Sequence, residues 1–416
     1  MREFLATETA GGLLLILAAI VALVWANSPW QASYETLWHT ELGVQLGRWE
    51  IELDLGHWVN DGLMAIFFLV VGLEVKRELL LGELRDRRRA ALPVIAAIGG
   101  MIVPVAVYLA LNPSLPESDG WGIPMATDIA FALGILALIA PSVPPAVRLF
   151  LLTLAIVDDI GAILVIAVFY TSSVELGWLA GAAGVVAAVV ILRRIGFAST
   201  PMFATLGVCL WLTVYESGIH ATIAGVIMGL LAPAEPELTR EIVHSRTDEL
   251  LDVFTPEAAR ETSRIARQSV SQLEWLEHQL HGWSSLVIVP LFALANAGVE
   301  LTADSTRDAL TSSLTLGVVL GLVLGKTIGI SAASWLAVRF GWADLPTGVT
   351  WRHLMGAATL GGIGFTVSLF IAALAFEDPV LVDNAKIGVL AASVLATVPA
   401  FLLLHRARDA APAEPG

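Results

Sequence analysis

Two adjacent carboxylates stand in an apolar stretch of the chain, where a charged group needs a specific reason to be present. Asp158 and Asp159 follow the aliphatic residues 154–157 and precede Ile160 and Gly161. A charge at the centre of a membrane helix costs about 2.5 kcal/mol or more, and such residues mark ion pathways by default. Because successive helical residues point about 100° apart, one aspartate can face a cavity while the other meets a partner on another helix.

Lys326 is the obvious partner for one of the two aspartates. It lies in a second apolar stretch, residues 314–340, so its charge carries a similar energetic cost. An ion pair between Lys326 and Asp158 or Asp159 could serve structure alone, or it could belong to an ion path. The residues leave both interpretations open, and the rule for intramembrane charges favours the ion path.

Asp128 follows Thr127 in an apolar stretch that Gly122 and Pro124 interrupt. Irregular backbone at membrane depth is tolerated only where protein buries it or water reaches it, so the break indicates a functional region. Asp128 could compensate the positive ends of two facing helix N-termini, with Lys326 doing the same for facing C-termini. It could equally cap the broken helix, with Thr127 beside it. Both interpretations place Asp128 near the predicted ion path.

The chemistry available to these residues is that of oxygen ligands. Carboxylate, hydroxyl and carbonyl oxygens suit hard cations, and these stretches offer neither thiolate nor clustered imidazole. Asp159 and Asp158 are therefore the predicted metal-ion ligands. A carboxylate in a poorly solvated cavity holds a proton or a cation more readily than it stays bare. Competition for the same oxygens predicts exchange of a cation for protons.

Composition indicates which elements must hold these residues. The 416 residues are 56% hydrophobic and 15% charged, whereas soluble domains carry about 25% charged residues. Apolar stretches long enough to cross a hydrocarbon layer of about 30 Å recur from end to end. The sequence therefore predicts one all-α polytopic transmembrane domain over residues 1–416. Its twelve spans are expected near residues 11–27, 57–82, 91–112, 121–140, 147–171, 175–193, 202–216, 218–233, 282–300, 314–340, 351–376 and 383–405.

Basic residues predict the orientation of the spans. With the N-terminus taken as cytoplasmic, the outside loops contain only Arg48 and Arg307, while Lys326 and Lys386 lie within spans. Every other Lys and Arg among the 23 falls in an inside loop or end. Since cytoplasmic loops carry the excess of basic residues, both termini are predicted to be cytoplasmic.

Two loops are long enough to form structure of their own. Within residues 43–55, two short runs flank Gly47 and Arg48, and the second run alternates in polarity, which predicts a small external β-hairpin. Residues 234–281 mix charges with helix-forming residues, which predicts a cytoplasmic loop with an extended charged insertion.

Glycines interrupt the eleventh predicted span as well as the fourth, at positions that include Gly361 and Gly364. Interrupted segments in matching positions of two halves are the sequence pattern of an inverted-repeat transporter and its binding site. The halves would be spans three to five and ten to twelve.

Ionisable residues also cluster where the second span ends and the ninth begins. Histidines that titrate near neutrality beside carboxylates could report cytoplasmic pH. Ordinary ion pairs at a solvated helix end would explain the same residues, and the residues alone do not decide between the two. The candidates are Glu74, Glu78, Glu277, His278 and His281, beside Lys76 and Arg77.

At these residues the chain resembles the NhaA family of Na⁺/H⁺ antiporters, over nearly its whole length. The matching motifs are Asn60 to Met64, Val71 to Glu78, Pro93 to Pro104, Ala126 to Leu133, Ala155 to Ala162, His220 to Gly229, Pro290 to Val299 and Gly361 to Ser368. The resemblance implies twelve spans with crossed, interrupted helices four and eleven, and a homodimer assisted by the external hairpin. It also implies pH-regulated, electrogenic exchange of Na⁺ or Li⁺ for a larger number of protons across a bacterial inner membrane.

The resemblance also implies residue roles. Asp158 and Asp159 match the ion-binding and proton-carrying pair, with Asp159 the direct ligand, and Lys326 is expected to pair with Asp158 in the inactive state. Thr127 and Asp128 match the broken-helix pair. Monovalent cations, the lipid bilayer and a second copy are the expected partners, and no enzymatic activity, cofactor or nucleic acid is expected. The expected pH sensors are Glu74, Glu78, Glu277, His278 and His281, and the modulatory residues are His220, Lys76, Arg77 and Gly364.

Two departures from the family pattern bear on regulation. Residues 235–272 are longer and more charged than the short connection expected there, and Glu274 and Trp275 stand where basic residues can occur. Neither change touches the predicted transport site. They leave the pH at which exchange begins, and the role of the insertion, open.

Other functions would make different demands on these residues. A symporter or an exchanger for another monovalent ion would use the same oxygens, since these alone do not separate Na⁺, Li⁺ and K⁺. An intramembrane aspartyl protease needs its two aspartates on separate helices that face one cleft, whereas Asp158 and Asp159 are neighbours. A channel is disfavoured because a titratable, charge-paired centre would trap the ion.

Overall fold

The structure is a computed structural model, and it describes residues 2–46, 49–171, 174–195, 199–236, 238, 243, 245 and 255–408. Within these ranges the chain is almost entirely helical, with one pair of strands. Gly47 and Arg48 of the predicted hairpin lie outside the described residues, as does most of the predicted insertion before Thr255.

The elements follow one another along the chain with short connections. The first half comprises α1 (Arg2–Ala26), α2 (Gln31–Trp38), β1 (Glu41–Leu46), β2 (Trp49–Asp54), α3 (Leu55–Leu80), α4 (Arg87–Leu111), a 3₁₀ helix (Glu117–Met125), α5 (Ile129–Ile139), α6 (Pro145–Phe169), α7 (Leu176–Arg194) and α8 (Thr200–Glu216). The second half comprises α9 (Thr222–Leu231), α10 (Pro256–Gln268), α11 (Gln272–Trp283), a π-helical turn (Ser284–Ile288), α12 (Val289–Asn296), α13 (Ala303–Thr311), α14 (Ser313–Arg339), α15 (Trp351–Leu360), α16 (Phe365–Ala375) and α17 (Pro379–Arg408).

Six helices among the described residues are long and apolar enough to span a membrane. The number rises to nine if each bent helix pair counts as one span. The chain is therefore a multi-pass membrane protein by length and composition. Three predicted spans do not reach the length of a membrane-spanning helix, namely residues 202–216, 218–233 and 282–300. Helix α8 has 17 residues, α9 has only 10, and the last of the three begins in the polar helix α11 and passes through the π-helical turn. The count of twelve stays a prediction.

The chain divides into two compact units. One unit comprises Met1–Met64, Leu81–Thr171 and Ser284–Gly416, and the other comprises Ala65–Leu80 and Ser172–Trp283. The single domain over residues 1–416 stays a prediction.

The first unit contains two similar runs of elements. A long helix (α4), a broken helix and another long helix (α6) are matched later by α14, a second broken helix and α17. The 3₁₀ helix and α5 bend by 50° at their break, and α15 and α16 bend by 42° at theirs. The two runs fall on the residues of the two predicted halves, and the inverted relation between them stays a prediction.

Glycines bring α4 and α14 into close contact in the first unit. A Cβ atom added to Gly99 would overlap the carbonyl oxygen of Gly329 and the Cβ of Ala333, and one added to Gly329 would lie 3.0 Å from the Cβ of Val103. Small residues let helix backbones approach within a membrane, where dispersion rather than water exclusion drives helix packing. The motif Ile98-Gly99-Gly100 thus sets the position of α14, which carries Lys326.

The second unit has an apolar core of its own. It is built from α7, α8, α9, α11 and the second part of α3, whose Gly72 lies against Val226 and Gly229 of α9. The buried members of this core are Leu73, Ala182, Val189, Phe203, Leu210, Val214, Ala224, Met228, Ala232, Leu273 and Leu276.

The predicted β-hairpin is present as a two-stranded antiparallel sheet. Its pairs run from Glu41 opposite Asp54 to Leu46 opposite Trp49. The side chain of Asp54 accepts a hydrogen bond from the backbone N–H of His57 at 2.7 Å and so begins α3. The hairpin is thereby tied directly to the start of a membrane helix.

Substitution of Gly99 by alanine should destabilise the protein, because the new methyl group has no space against Gly329. Overpacking of this kind costs about 1–3 kcal/mol, which should appear as a lower melting temperature of the purified protein in detergent. Gly184 in α7 is the matched control, since a Cβ there meets no atom within 4 Å. Gly184→Ala should leave the melting temperature unchanged or raise it, and an equal fall in both variants would contradict the packing argument.

Candidate functional site

The two helix breaks of the first unit lie against each other. The backbone N–H of Asp128 donates to the carbonyl oxygen of Ile363 at 2.7 Å, and the hydroxyl of Ser368 donates to the carbonyl oxygen of Ile123 at 2.7 Å. Backbone groups that leave a helix within a membrane must find partners in the protein. Here each broken helix supplies partners to the other, so the breaks form one buried, polar region.

Asp128 caps two helices with one carboxylate. Its Oδ1 accepts from the N–H of Phe131 at 2.9 Å, at the start of α5. Its Oδ2 accepts from the N–H of Thr366 at 3.0 Å and from the Thr366 hydroxyl at 2.6 Å, at the start of α16. Both helix N-termini carry partial positive charge, so the two predicted roles of Asp128, capping and charge compensation, coincide in this geometry.

Asp158, Lys326 and Thr127 form a second buried cluster at the same breaks. Lys326 Nζ donates to Asp158 Oδ2 and, at 2.7 Å, to Thr127 Oγ1. The Thr127 hydroxyl lies 2.7 Å from Asp158 Oδ2 and 2.8 Å from the carbonyl oxygen of Gly361. All three side chains are 0% exposed. The structure therefore brings together the predicted pair of Asp158 and Lys326, with Thr127 as their common neighbour.

Lys326 is linked to one helix C-terminus, that of α15, and only indirectly. Its ammonium group binds Asp158 and the Thr127 hydroxyl, and Thr127 in turn contacts the carbonyl oxygen of Gly361 at the end of α15. Compensation of two facing C-termini by Lys326 stays a prediction.

Asp159 lies next to the cluster on α6 and is 4% exposed. Its charge also acts on Lys326. The Oδ1 atom of Asp158 has no hydrogen-bond partner within the described part of the chain. Together, two adjacent carboxylates, the Thr127 hydroxyl and the Gly361 carbonyl provide oxygen atoms suited to a monovalent cation. In the described ranges no three His, Cys, Asp or Glu side chains gather as a metal site, so such an ion would rely on hydroxyl and carbonyl oxygens too.

The local backbone explains where Lys326 points. A π-helical turn over Gly321–Gly325 precedes it, and such turns often occur at functional sites because they rotate the following residues. Gly325 lies against Pro104 of α4, and a Cβ added to Gly100 would be 3.9 Å from the Lys326 side chain. Helix α4 thus encloses the lysine, which the sequence motif at residues 98–100 did not reveal by itself.

Thr366 and the Gly361 carbonyl were not predicted as site residues, although both lie in the motif from Gly361 to Ser368. The only sequence signal was the density of small residues and hydroxyls at the break. Gly364, predicted to be modulatory, is the N-cap of α16, and a Cβ there would contact the side chains of Ser368 and Leu322. Because Gly364 has no side chain, α14 and α16 can pack closely at this point.

The predicted pH-sensing residues meet at the end of α3 in the second unit. Arg77 forms ion pairs with Glu277 and, at 3.5 Å, with Glu78. The Nδ1 atom of His281 lies 3.3 Å from Glu74 Oε1. Four of the five predicted sensors therefore lie in one charged cluster between α3 and α11, whereas His278 is exposed on α11.

Burial raises the pKa of Glu277 to about 7. The Arg77 guanidinium and His281 oppose this rise, while the charges of Glu74 and Glu78 add to it. The carboxyl of Glu277 therefore changes its charge near neutral pH, which an exposed glutamate does not do.

Lys76 and His220 each contact α9. The ammonium group of Lys76 donates to the carbonyl oxygens of Leu230 at 2.7 Å and Ala232 at 2.6 Å, where a cation stabilises the C-terminus of α9. The backbone carbonyl of His220 accepts from the N–H of Ile223 at the other end of the same helix.

The fold and the site together define a multi-pass membrane protein in which two broken helices enclose buried, paired charges. Comparison with known proteins identifies the family. The sequence profile of the family described as Na⁺/H⁺ antiporter 1 matches residues 2–404. The chain belongs to this family, which confirms the resemblance inferred from its motifs.

Similar proteins cover almost the whole chain. A Na⁺/H⁺ antiporter NhaA 3 from Frankia alni is 48% identical in an alignment of 414 positions that covers 97% of this chain and 88% of that protein. A Na⁺/H⁺ antiporter NhaA from Rhodopirellula baltica is 49% identical in an alignment of 412 positions that covers 97% of this chain and 92% of that protein. The solved structure of the sodium proton antiporter MjNhaP1 from Methanocaldococcus jannaschii covers 95% of this chain and 92% of its own, with a TM-score of 0.53 and 14% identity. This last similarity concerns the fold alone.

Removal of Lys326 should destabilise the protein strongly. Lys326→Ala leaves the buried carboxylate of Asp158 without its cation, which typically costs about 3–5 kcal/mol and should lower the melting temperature. The double variant Asp158→Asn with Lys326→Met removes both charges and should recover much of the loss. A single variant that melts like the unmodified protein would contradict the pair.

Glu277 should make stability depend on pH in a defined direction. Its pKa in the folded protein lies above its unfolded value of 4.5, so the folded state binds the proton more tightly. The stability this provides is present at low pH and is lost as pH rises toward about 7. The melting temperature should therefore fall more steeply over this range in the unmodified protein than in Glu277→Gln. Parallel curves for the two proteins would show that Glu277 does not titrate there.

Proposed function

We propose that this chain is a secondary active antiporter that exchanges Na⁺ or Li⁺ for H⁺ across a bacterial inner membrane. The observation that carries the proposal is the buried cluster of Asp158, Lys326 and Thr127 at the meeting point of two helix breaks. Family membership and the names of the relatives support sodium and protons as the exchanged ions. The expected inside location of both termini rests on the distribution of basic residues.

Charge balance explains how one site serves both ions. With a proton on Asp159 and on the Lys326 amine, the charges of Asp158 and Lys326 cancel. A sodium ion that binds the two carboxylates releases the Asp159 proton, and it weakens the hold of Asp158 on Lys326, so the amine releases a second proton. Two protons then leave for each sodium ion that enters, and the exchange is electrogenic.

The broken helices supply the route for alternating access. Transport requires that the site open to one side at a time while the buried charges stay compensated. Asp128 compensates the N-termini of α5 and α16 in either state, because its partners are backbone groups of the breaks themselves. The two helix breaks can therefore move together while the hydrogen bonds of Asp128 stay intact.

Finer features of the fold belong to the same proposal. The predicted spans at α8, at α9 and over residues 282–300 would be the three beyond the nine that meet the length criterion. The total is then twelve, with helices four and eleven crossed. A homodimer assisted by the hairpin is proposed on the resemblance alone. Neither a cofactor nor an enzymatic step is needed, since the exchange makes and breaks only proton and ion contacts.

The cluster of Arg77, Glu277, Glu74 and His281 is proposed to regulate exchange by cytoplasmic pH. As pH rises through about 7, Glu277 becomes anionic, which strengthens its attraction to Arg77 and its repulsion of Glu74. The contact between α3 and α11 therefore changes in the pH range in which the cytoplasm varies. His278, being exposed, would act only through its charge.

Proteoliposomes containing the purified protein test the proposal. Addition of Na⁺ or Li⁺, but not K⁺, should move protons, read by a pH-sensitive dye, and more strongly at about pH 8.5 than at about pH 7. Asp159→Asn should abolish this movement at an unchanged melting temperature, because the amide cannot exchange a proton for the ion. Thr311→Ala, at the exposed external helix α13, is the matched control and should transport normally.

Each alternative predicts a different result. If K⁺ also moved protons, the assignment of Na⁺ and Li⁺ as the exchanged ions would be wrong. Discrete single-channel currents would indicate a channel. Proton movement retained in Asp159→Asn would remove that residue from the site, and none with any cation would refute the antiporter.

A further inference from the structure

The 3₁₀ helix Glu117–Met125 leads directly into Thr127 and has an unusual backbone. It runs for 9 residues, whereas 3₁₀ helices longer than about 3–4 residues are uncommon because their hydrogen bonds have poor geometry. A segment of this kind keeps its shape only if side chains outside it hold its backbone groups.

Two tyrosines hold this segment. The hydroxyl of Tyr108, on α4, donates to the carbonyl oxygen of Glu117 at 2.6 Å. The hydroxyl of Tyr170, at the end of α6, donates to the carbonyl oxygen of Asp119 at 2.8 Å and accepts from the N–H of Gly122 at 3.1 Å. Tyr170 thus uses both its donor and its acceptor on one stretch of backbone.

The neighbours of Tyr170 are shaped to admit its ring. A Cβ added to Gly122 would lie 2.7 Å from the Tyr170 hydroxyl, so a larger residue there would displace it. Trp121 stacks on the ring at a centroid distance of 6.3 Å and an interplanar angle of 26°. Gly122 and Trp121, which both belong to the segment, therefore pack closely against the Tyr170 side chain.

Tyr170 also belongs to the helix that carries the two aspartates. Asp158 and Asp159 lie on α6, and Tyr170 is the C-cap of that helix. Gly122 is five positions before Thr127, whose hydroxyl contacts both Asp158 and Lys326. The phenol therefore links the ion-binding helix to the segment that delivers Thr127.

We propose that Tyr170 is a positioning residue for ion binding: its hydroxyl holds the segment Glu117–Met125 so that Thr127 meets Asp158 and Lys326. The hydroxyl of Tyr108 also lies beside Gly120, where an added Cβ would be 2.4 Å away, but its hydrogen bond goes to Glu117 at the far end of the segment, ten positions from Thr127. It serves the stability of the segment rather than the placement of Thr127. This inference rests on the proposed antiporter function only for its transport test.

Tyr170→Phe keeps the ring and its stacking on Trp121 but removes the hydroxyl. It thereby loses both hydrogen bonds of the phenol, to the Asp119 carbonyl and from the Gly122 N–H. This loss should raise the KM for Na⁺ about threefold to tenfold in proteoliposomes, with a much smaller change in kcat. Tyr108→Phe is the matched control, because it also loses one phenolic hydroxyl on this segment, and its KM should stay the same. Gly122→Ala should reproduce the rise in KM by displacing the phenol. An unchanged KM in Tyr170→Phe, or an equal rise in both tyrosine variants, would overturn the inference.

A second measurement does not depend on transport. In a Cys209→Ser background, which removes the single native cysteine, Ala126→Cys places a thiol beside Thr127 at a position that is 0% exposed. In detergent, a thiol reagent should label this cysteine faster when Tyr170→Phe is added than when Tyr108→Phe is added. Equal labelling rates would overturn the inference even if exchange is confirmed. Faster labelling in Tyr170→Phe would support it even if the unmodified protein moves no protons, which would refute only the proposed function.

Discussion

The structure depends on one constraint: backbone groups freed by a helix break within a membrane have no water to bind, so the protein must satisfy them itself. Asp128 meets this constraint for two helices at once, because its carboxylate accepts from the N-terminal groups of both α5 and α16. Neither break can then be placed without the other. The meeting of the breaks, and with it the position of Thr127 beside Asp158 and Lys326, follows from this shared cap.

The buried pair of Asp158 and Lys326 is poorly explained by stability. Removal of two charges from water costs more than their attraction commonly returns, so a well-packed apolar pair would serve a purely structural role as well or better. A site that must trade a cation for protons needs groups whose protonation and pairing can change. The glycine contacts between α4 and α14 enclose Lys326, and this exclusion of water makes Asp158 its natural partner.

The charged cluster of the second unit follows different physics. Glu74 and His281 are partly reached by solvent, while Glu78 and Glu277 are buried beside Arg77. Burial raises the pKa of Glu277 to about 7, against the opposing charges of Arg77 and His281. A group in such surroundings responds to small changes in pH, whereas Asp158 is paired with Lys326 at 0% exposure. The chain thus contains two sets of carboxylates that differ in their surroundings rather than in residue type.

The sequence by itself determined the membrane class, most spans, the hairpin and the identity of the charged residues, because each of these depends on local composition or on charges that are rare within apolar stretches. It also located both breaks, since glycine and proline mark them directly. The residues alone left open which aspartate pairs with Lys326, and the tertiary structure shows Asp158, as the family resemblance implied. The double cap by Asp128 with Thr366, and the packing of Gly100 beside Lys326 and of Pro104 against Gly325, were decided by the tertiary structure alone. These contacts join residues that are far apart along the chain, and no periodicity within a single helix specifies which atoms of another helix will meet it.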